Sequence, residues 1–163
     1  MKSKPLKFNT RIKAVICHLA SLSWLFFELM LSPLVKFVNR DLAWVGIARF
    51  YTPIVSMILA TLIVILLWRI NEKVNPFIDR SGRCATNFML SSSLYLTIIF
   101  TLLGINCGIP FYVKMAEPAL MSFYIASLLL LIHFCFGVTG SIFTLGGKVF
   151  SYPLTVKFLS ETP

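Results

Sequence analysis

Two histidines and four cysteines are the side chains of this chain best suited to hold a metal, and one stripe of polar residues is best suited to pass a proton or an ion. His18 follows Cys17, and His133 precedes Cys135 by two positions. Successive residues of a helix diverge by about 100°. Cys17 and His18 therefore cannot share a face, and Cys135 points away from His133. No metal site is expected, and polar packing or an interhelical hydrogen bond is the expected work of the histidines. Lys13, Cys17, Ser21, Trp24 and Glu28 recur at steps of four or three, which sets them in one narrow stripe. With the histidines at similar depth, Lys13, His18, Ser21, Glu28 and His133 form a candidate polar track, because ionisable groups inside a membrane are costly unless used. The alternative is that Lys13 and Glu28 reach to headgroups while the rest of the stripe packs. No nucleotide, metal or nucleophile signature occurs, and no acid pair or nucleophile with its base can be set in one plane. The expectation is a protein that is not an enzyme and carries no cofactor.

The elements that position these residues follow from composition. The 163 residues are 58% hydrophobic and 13% charged, with a mean hydropathy of +0.85, too apolar to cover a water-soluble globule. In hydrocarbon every backbone polar group needs an internal partner, and long apolar runs without two-residue alternation select helices over a barrel. The fold class is all-α: a polytopic membrane protein, a four-transmembrane-helix bundle forming a single integral membrane domain over residues 1–163. The spans are expected at about 12–31, 53–68, 84–105 and 118–145, each close to the length that crosses the hydrocarbon core. Between the first two, Pro33 to Thr52 mixes Lys36, Arg40, Asp41 and Arg49 with aromatic residues, and reads as a partly helical interfacial connector between helices 1 and 2. Trp68-Arg69 closes the second span as an aromatic anchor, and Gly146-Gly147 stops the fourth.

The net charge of +9 is distributed beside the spans, not in one stripe with stacking aromatics, so anionic headgroups are expected as partners and nucleic acid is not. Other membrane proteins or a second copy are the further partners expected. Eleven of the 15 basic residues fall in the N-terminal segment, the 69–83 loop and the C-terminal tail. Positive loops stay cytoplasmic, so both termini and that loop are expected inside, in a cell inner membrane. A plastid membrane stays open as an alternative. On the fourth helix Ser122, Ala126, His133, Gly137, Gly140 and Thr144 form a small-residue packing face, with Leu130 facing lipid. The third helix carries Cys84, Asn87, Ser91 and Tyr95 in one stripe, and the amide of Asn87 must find partners on a neighbouring helix or on the loop before it. In that loop, Asn75 to Arg83, Pro76 favours an extended Asn75, Phe77 and Ile78 dip into the interface, and Asp79 or Ser81 caps the helix that follows.

The run Trp68 to Asp79 with Asn75-Pro76-Phe77, then Gly82, Arg83, Ala85, Asn87 and Phe88, resembles small bacterial membrane proteins related to the twenty-kilodalton Tic component of the chloroplast inner-envelope import translocon. His18 to Leu22 and the tail Gly147 to Phe158, with Tyr152-Pro153, are similar to further pieces of that family's pattern. Cys84, Thr86 and Met89 depart from it. The resemblance implies a scaffold or channel-associated subunit linked to protein translocation, with Asn75, Pro76, Phe77, Asp79, Gly82, Asn87, Phe88, Tyr152 and Pro153 as its structural or interaction motif. The alternative function is a component of a small-solute or ion permease.

Overall fold

The computed structural model describes residues 6–38, 42–107 and 116–159. Among them the regular elements are the helices α1 (Phe8–Ala20), α2 (Ser23–Val38), α3 (Leu42–Asn71), α4 (Pro76–Cys107) and α5 (Ala116–Leu145), with no strand. Four stretches are long and apolar enough to cross a membrane: Phe8–Leu31, Tyr51–Asn71, Pro76–Thr101 and Ser127–Leu145. The fold is thus the four-span helical membrane bundle expected from the sequence. α1 packs against α3, α4 and α5, while α2 lies along α3 and α3 along α4. The core between them contains Trp24, Met57, Ala60, Val64, Ala85, Met89 and Leu96. Leu62, Leu66, Leu131 and Ile142 lie on the outside and are more than half exposed, as side chains solvated by lipid would be.

Three local details differ from the sequence expectation, each for a physical reason. The first span is not one helix but α1 and α2 joined at Ser21 and Leu22. The Ser21 hydroxyl donates to the His18 carbonyl at 2.6 Å, and the Ser21 N–H donates to the same oxygen at 3.1 Å. Leu22 N–H then turns to Leu19 O at 2.9 Å, and Leu25 N–H to Leu22 O at 3.1 Å. A serine that bonds back onto the backbone competes with the helical ladder in this way. The carbonyl of Ser21 is released from its usual acceptor role, which at membrane depth requires another donor.

The connector is partly helical as expected, and the second difference is that its helical parts continue the helices they join. α2 runs through Pro33 as far as Val38, and α3 begins at Leu42 and passes through Pro53. Proline interrupts only local bonds, and neighbouring helices can support such a helix in a membrane. Residues 39–41, which carry Arg40 and Asp41 of the connector, lie outside the described residues.

The third difference is the loop before the third span, most of which is helix. Asn75 is the cap: its Oδ1 accepts from Phe77 N–H at 2.8 Å, and its backbone carbonyl accepts from Asp79 N–H at 3.1 Å. Pro76 takes the first helical position, where a missing N–H costs nothing. The cap therefore falls on Asn75 and not on Asp79 or Ser81. At the same end of the bundle, α5 stops as expected. Gly147, at φ 80°, adopts the left-handed conformation that glycine tolerates, with Lys148 N–H on Phe143 O at 3.1 Å and Gly147 N–H on Thr144 O at 2.9 Å. This turn sends residues 148–159 back over the bundle.

Candidate functional site

The tail is held by one face of α4. Asn87 uses both halves of its amide on the backbone of Leu159: Nδ2 donates to its carbonyl at 3.1 Å, and Oδ1 accepts its N–H at 2.9 Å. One turn further, Ser91 Oγ accepts the N–H of Val156 at 2.9 Å and donates to Asn87 O at 2.8 Å. One more turn on, the Tyr95 hydroxyl donates to Leu154 O at 2.9 Å. Leu154 sits at φ 61°, a conformation costing about 1 to 3 kcal/mol for a side-chain-bearing residue unless its surroundings hold it. The four-residue spacing of Asn87, Ser91 and Tyr95 thus satisfies backbone groups of an extended segment that has no strand beside it. The sequence reading placed these residues in one stripe but gave Asn87 a helix or the preceding loop as partner. Its partner is the tail.

A stack of three rings forms the inner part of the site. Phe88 of α4 lies parallel to Tyr152 of the tail, with centroids 4.0 Å apart and planes 6° apart, and on its other side parallel to His133 of α5, at 4.4 Å and 16°. Trp24 meets His133 edge-on at 6.1 Å, and Phe150 meets Tyr152 edge-on at 4.9 Å. His133 also repairs the break in the first span. Its Nε2 lies 3.1 Å from the released Ser21 carbonyl and its Nδ1 3.0 Å from Ser92 Oγ. A carbonyl only accepts, so the neutral tautomer with its proton on Nε2 donates to Ser21 and accepts from Ser92. His18 Nδ1 lies 2.6 Å from the Tyr152 hydroxyl. Burial pushes that hydroxyl well above the usual phenol range, so it keeps its proton and can donate it to the histidine.

These contacts explain the glycines of α5. A Cβ on Gly140 would collide with the Tyr152 hydroxyl and lie 3.1 Å from His18 Nδ1, and one on Gly137 would lie 2.7 Å from Leu22 Cδ2. The part of the small face formed by His133, Gly137, Gly140 and Thr144 is turned inward and met by α1, Leu22 and the tail, so this part is not an open surface for another protein, while the side chains of Ser122 and Ala126 lie outside the described residues. Leu130, expected against lipid, is partly buried against the core.

The candidate polar track divides into separate groups. His18, Ser21 and His133 come together as described. Lys13 is exposed, and Glu28 accepts hydrogen bonds across the α2–α3 contact from Thr52 Oγ1 at 2.8 Å and Ser56 Oγ at 3.0 Å. Neither charged residue shares a hydrogen bond with the histidine group. Snorkelling also fails for Glu28, because α3 supplies its donors. Among the described residues no group of three or more His, Cys, Asp or Glu side chains is placed to hold a metal ion.

The remaining motif residues make a second cluster at the α3–α4 turn. Trp68, expected as an interfacial anchor, is buried. Its indole N–H donates to Asp79 Oδ1 at 2.9 Å, and the same oxygen accepts Arg83 Nε at 3.0 Å. Gly82 admits the indole, since a Cβ there would sit 2.5 Å from Trp68 Cδ1. Phe77 is half-buried in the first turn of α4, Ile78 is packed inside the bundle and not at the interface, and Pro153 is exposed within the docked tail. Sequence reasoning missed Ser92, Thr52 and Ser56 as partners of His133 and Glu28.

Asn87→Leu removes both bonds to Leu159 and is expected to cost about 1 to 2 kcal/mol, the upper part of the range for a polar contact inside a membrane protein. Ser93 is unsuited as a control, because its hydroxyl lies 2.9 Å from Thr61 Oγ1 on α3. Thr97 bonds only within its own helix, to Ser93 O at 2.7 Å. In detergent, thermal unfolding should show a clear loss for Asn87→Leu and almost none for Thr97→Val.

The fold and this site define a polytopic helical membrane protein closed by its own C-terminal strap. The profile of the magnetosome magnetite crystal formation protein family (MamF/MmsF) matches residues 40–159, from the start of α3 through α4 and α5 to the end of the docked tail. The chain belongs to that family. The match overturns the resemblance to the Tic-like family, and no finding points to an import translocon. The residues that carried the resemblance are a helix cap, a glycine under a tryptophan and a tail-binding asparagine. These serve bundle assembly, which many membrane proteins share, and so they discriminate poorly between families. No curated protein and no solved structure matches the chain.

Proposed function

We propose that the chain is a non-enzymatic structural subunit of the magnetosome membrane that takes part in magnetite crystal formation. The observation that carries this reading is the family match, which spans three of the helices and the strap. The site supports it. Its polar side chains are spent on joining helices and on fastening the tail, a use that builds a rigid membrane unit. Partners in that membrane, whether other proteins or a second copy, would approach through the outer faces of the bundle.

The test is removal of the protein from a magnetite-forming cell, followed by electron microscopy of the crystals. A changed distribution of crystal size or number, restored by the intact gene, is expected. Unchanged crystals would overturn the reading.

In the proposed orientation both termini and the α3–α4 turn face the cytoplasm, where the basic residues cluster. Single-cysteine variants in the inner membrane of a host bacterium check this. A membrane-impermeant thiol reagent should modify Cys107 in intact spheroplasts and leave Cys84 protected until lysis, and the reverse pattern would invert the topology. Trp44 and Lys114 belong to the outer side in this arrangement, with Lys114 outside the described residues.

A further inference from the structure

Two cavities flank the docked tail, and Thr155 lines both. The first, about 150 Å³, is an apolar groove between α4 and α5, lined by Phe88, Leu96, Leu129, Ile132, Phe136 and Leu154 among others. The second, about 420 Å³, lies towards the start of α4, where Arg80, Arg83 and Lys157 meet Ser151, Thr155 and Asn87. Among the described residues no carboxylate lines it. Arg83 is paired with Asp79, whereas Arg80 and Lys157 make no ion pair with any described residue. The basic cavity therefore carries the charge of Lys157 and that of Arg80, which Asp79 meets only at a distance, with no carboxylate of the described residues within it.

We propose that the two cavities form one binding site for an anionic phospholipid, its phosphate among Arg80, Arg83 and Lys157 and the first part of an acyl chain in the α4–α5 groove. The order of the lining residues along α4 fits this occupant. Arg80 and Arg83 lie at the end of the helix beside the charged turn, and Tyr95 and Leu96 lie within the span. The rise from Arg83 to Tyr95, roughly 18 Å of helix, runs from headgroup level into hydrocarbon, the direction a phospholipid takes. Arginine and lysine supply the donors that a phosphate diester accepts, while Ser151 and Thr155 add hydroxyls. The groove offers a chain contact with aromatic and branched side chains, and the rest of that chain stays in the bilayer. The tail lies between the two lobes, so a bound lipid would brace it against α4. This inference stands apart from the reading on crystal formation, since it concerns binding by the isolated protein.

The full-length protein in neutral detergent tests it, with native mass spectrometry and thermal unfolding as the readouts. Phosphatidylglycerol should stay bound and raise the unfolding temperature, phosphatidylcholine should do so far less, and glycerol 3-phosphate should have no effect. Equal effects of the two lipids would overturn the basic cavity as a selecting element. Glycerol 3-phosphate acting as well as phosphatidylglycerol would overturn the lipid site in favour of a soluble phosphate. The double variant Arg80→Gln with Lys157→Gln changes two exposed side chains. It should bind phosphatidylglycerol about 25-fold more weakly, at about fivefold per near-surface charge removed, and unchanged affinity would contradict the proposal. Ile132→Trp, which fills the groove from its partly exposed side, should weaken both lipids and leave the lipid-free unfolding temperature near that of the parent. Undiminished lipid binding by this variant would exclude the groove.

Discussion

Tyr152→Ala should lower stability by about 3 to 5 kcal/mol, the range for truncating a buried aromatic side chain, and should release residues 148–159 from the bundle. Tyr152 is 5% exposed, stacks on Phe88 and bonds to His18, so its loss empties the contact that fixes the middle of the tail. Tyr152→Phe keeps the ring and gives up one hydrogen bond, and should cost only about 0.5 to 1.5 kcal/mol. Gly140→Leu should resemble the alanine variant, since a side chain there displaces the same hydroxyl. Thermal unfolding in detergent measures the cost, and limited proteolysis reads the release. The tail of the parent and of Tyr152→Phe should resist a protease that trims the tail of Tyr152→Ala and Gly140→Leu. A tail equally protected in all four proteins would show that the ring stack does not hold it.

His133→Leu is expected to have the next largest effect, about 1 to 3 kcal/mol for the unpaired Ser21 carbonyl alone. The leucine fills similar space but cannot donate to that oxygen, and it also deprives Ser92 of its acceptor. Because α1 and α2 diverge at that carbonyl, the damage should fall on the first span and its contact with α5. Hydrogen exchange should rise around residues 19–25, while the α3–α4 turn, held by Trp68 and Asp79, keeps its protection. His133→Gln restores an N–H donor and should recover part of the loss. Equal destabilisation by leucine and glutamine would mean that the ring stack, and not the carbonyl bond, is the larger contribution of His133.

The parts of the fold legible in the sequence are those with local causes. Apolar runs gave the spans, Gly146-Gly147 gave the end of α5, and the spacing of Asn87, Ser91 and Tyr95 gave a polar face on α4. The start of α4 is also written locally, since Asn75-Pro76 is a cap followed by a favoured first residue, but the same dipeptide suits a loop equally well. What the sequence could not reveal depends on distant partners. The break at Ser21 is tolerable because His133, 112 positions away, supplies a donor, and the Asn87 amide finds the tail 72 positions on. The pairing of Glu28 with Thr52 and Ser56 was hidden for the same reason, as it requires α2 and α3 to lie side by side. Family membership was not legible from the motif around Asn75 to Phe88, because those residues solve problems of helix start and close packing that are common to bundles.

The central claim is that the C-terminal segment is a strap fastened along α4, and a disulfide between the two measures it most directly. Ser91 Oγ lies 2.9 Å from Val156 N, so their side chains leave backbones close enough to join. With the four native cysteines replaced, Ser91→Cys combined with Val156→Cys should form an intramolecular disulfide rapidly and almost completely in native membranes under mild oxidation. The pair Ile98→Cys with Val156→Cys, displaced two turns along α4 and facing outward, should not. Failure of the first pair to link, or equal linking of both pairs, would contradict a tail fastened to α4.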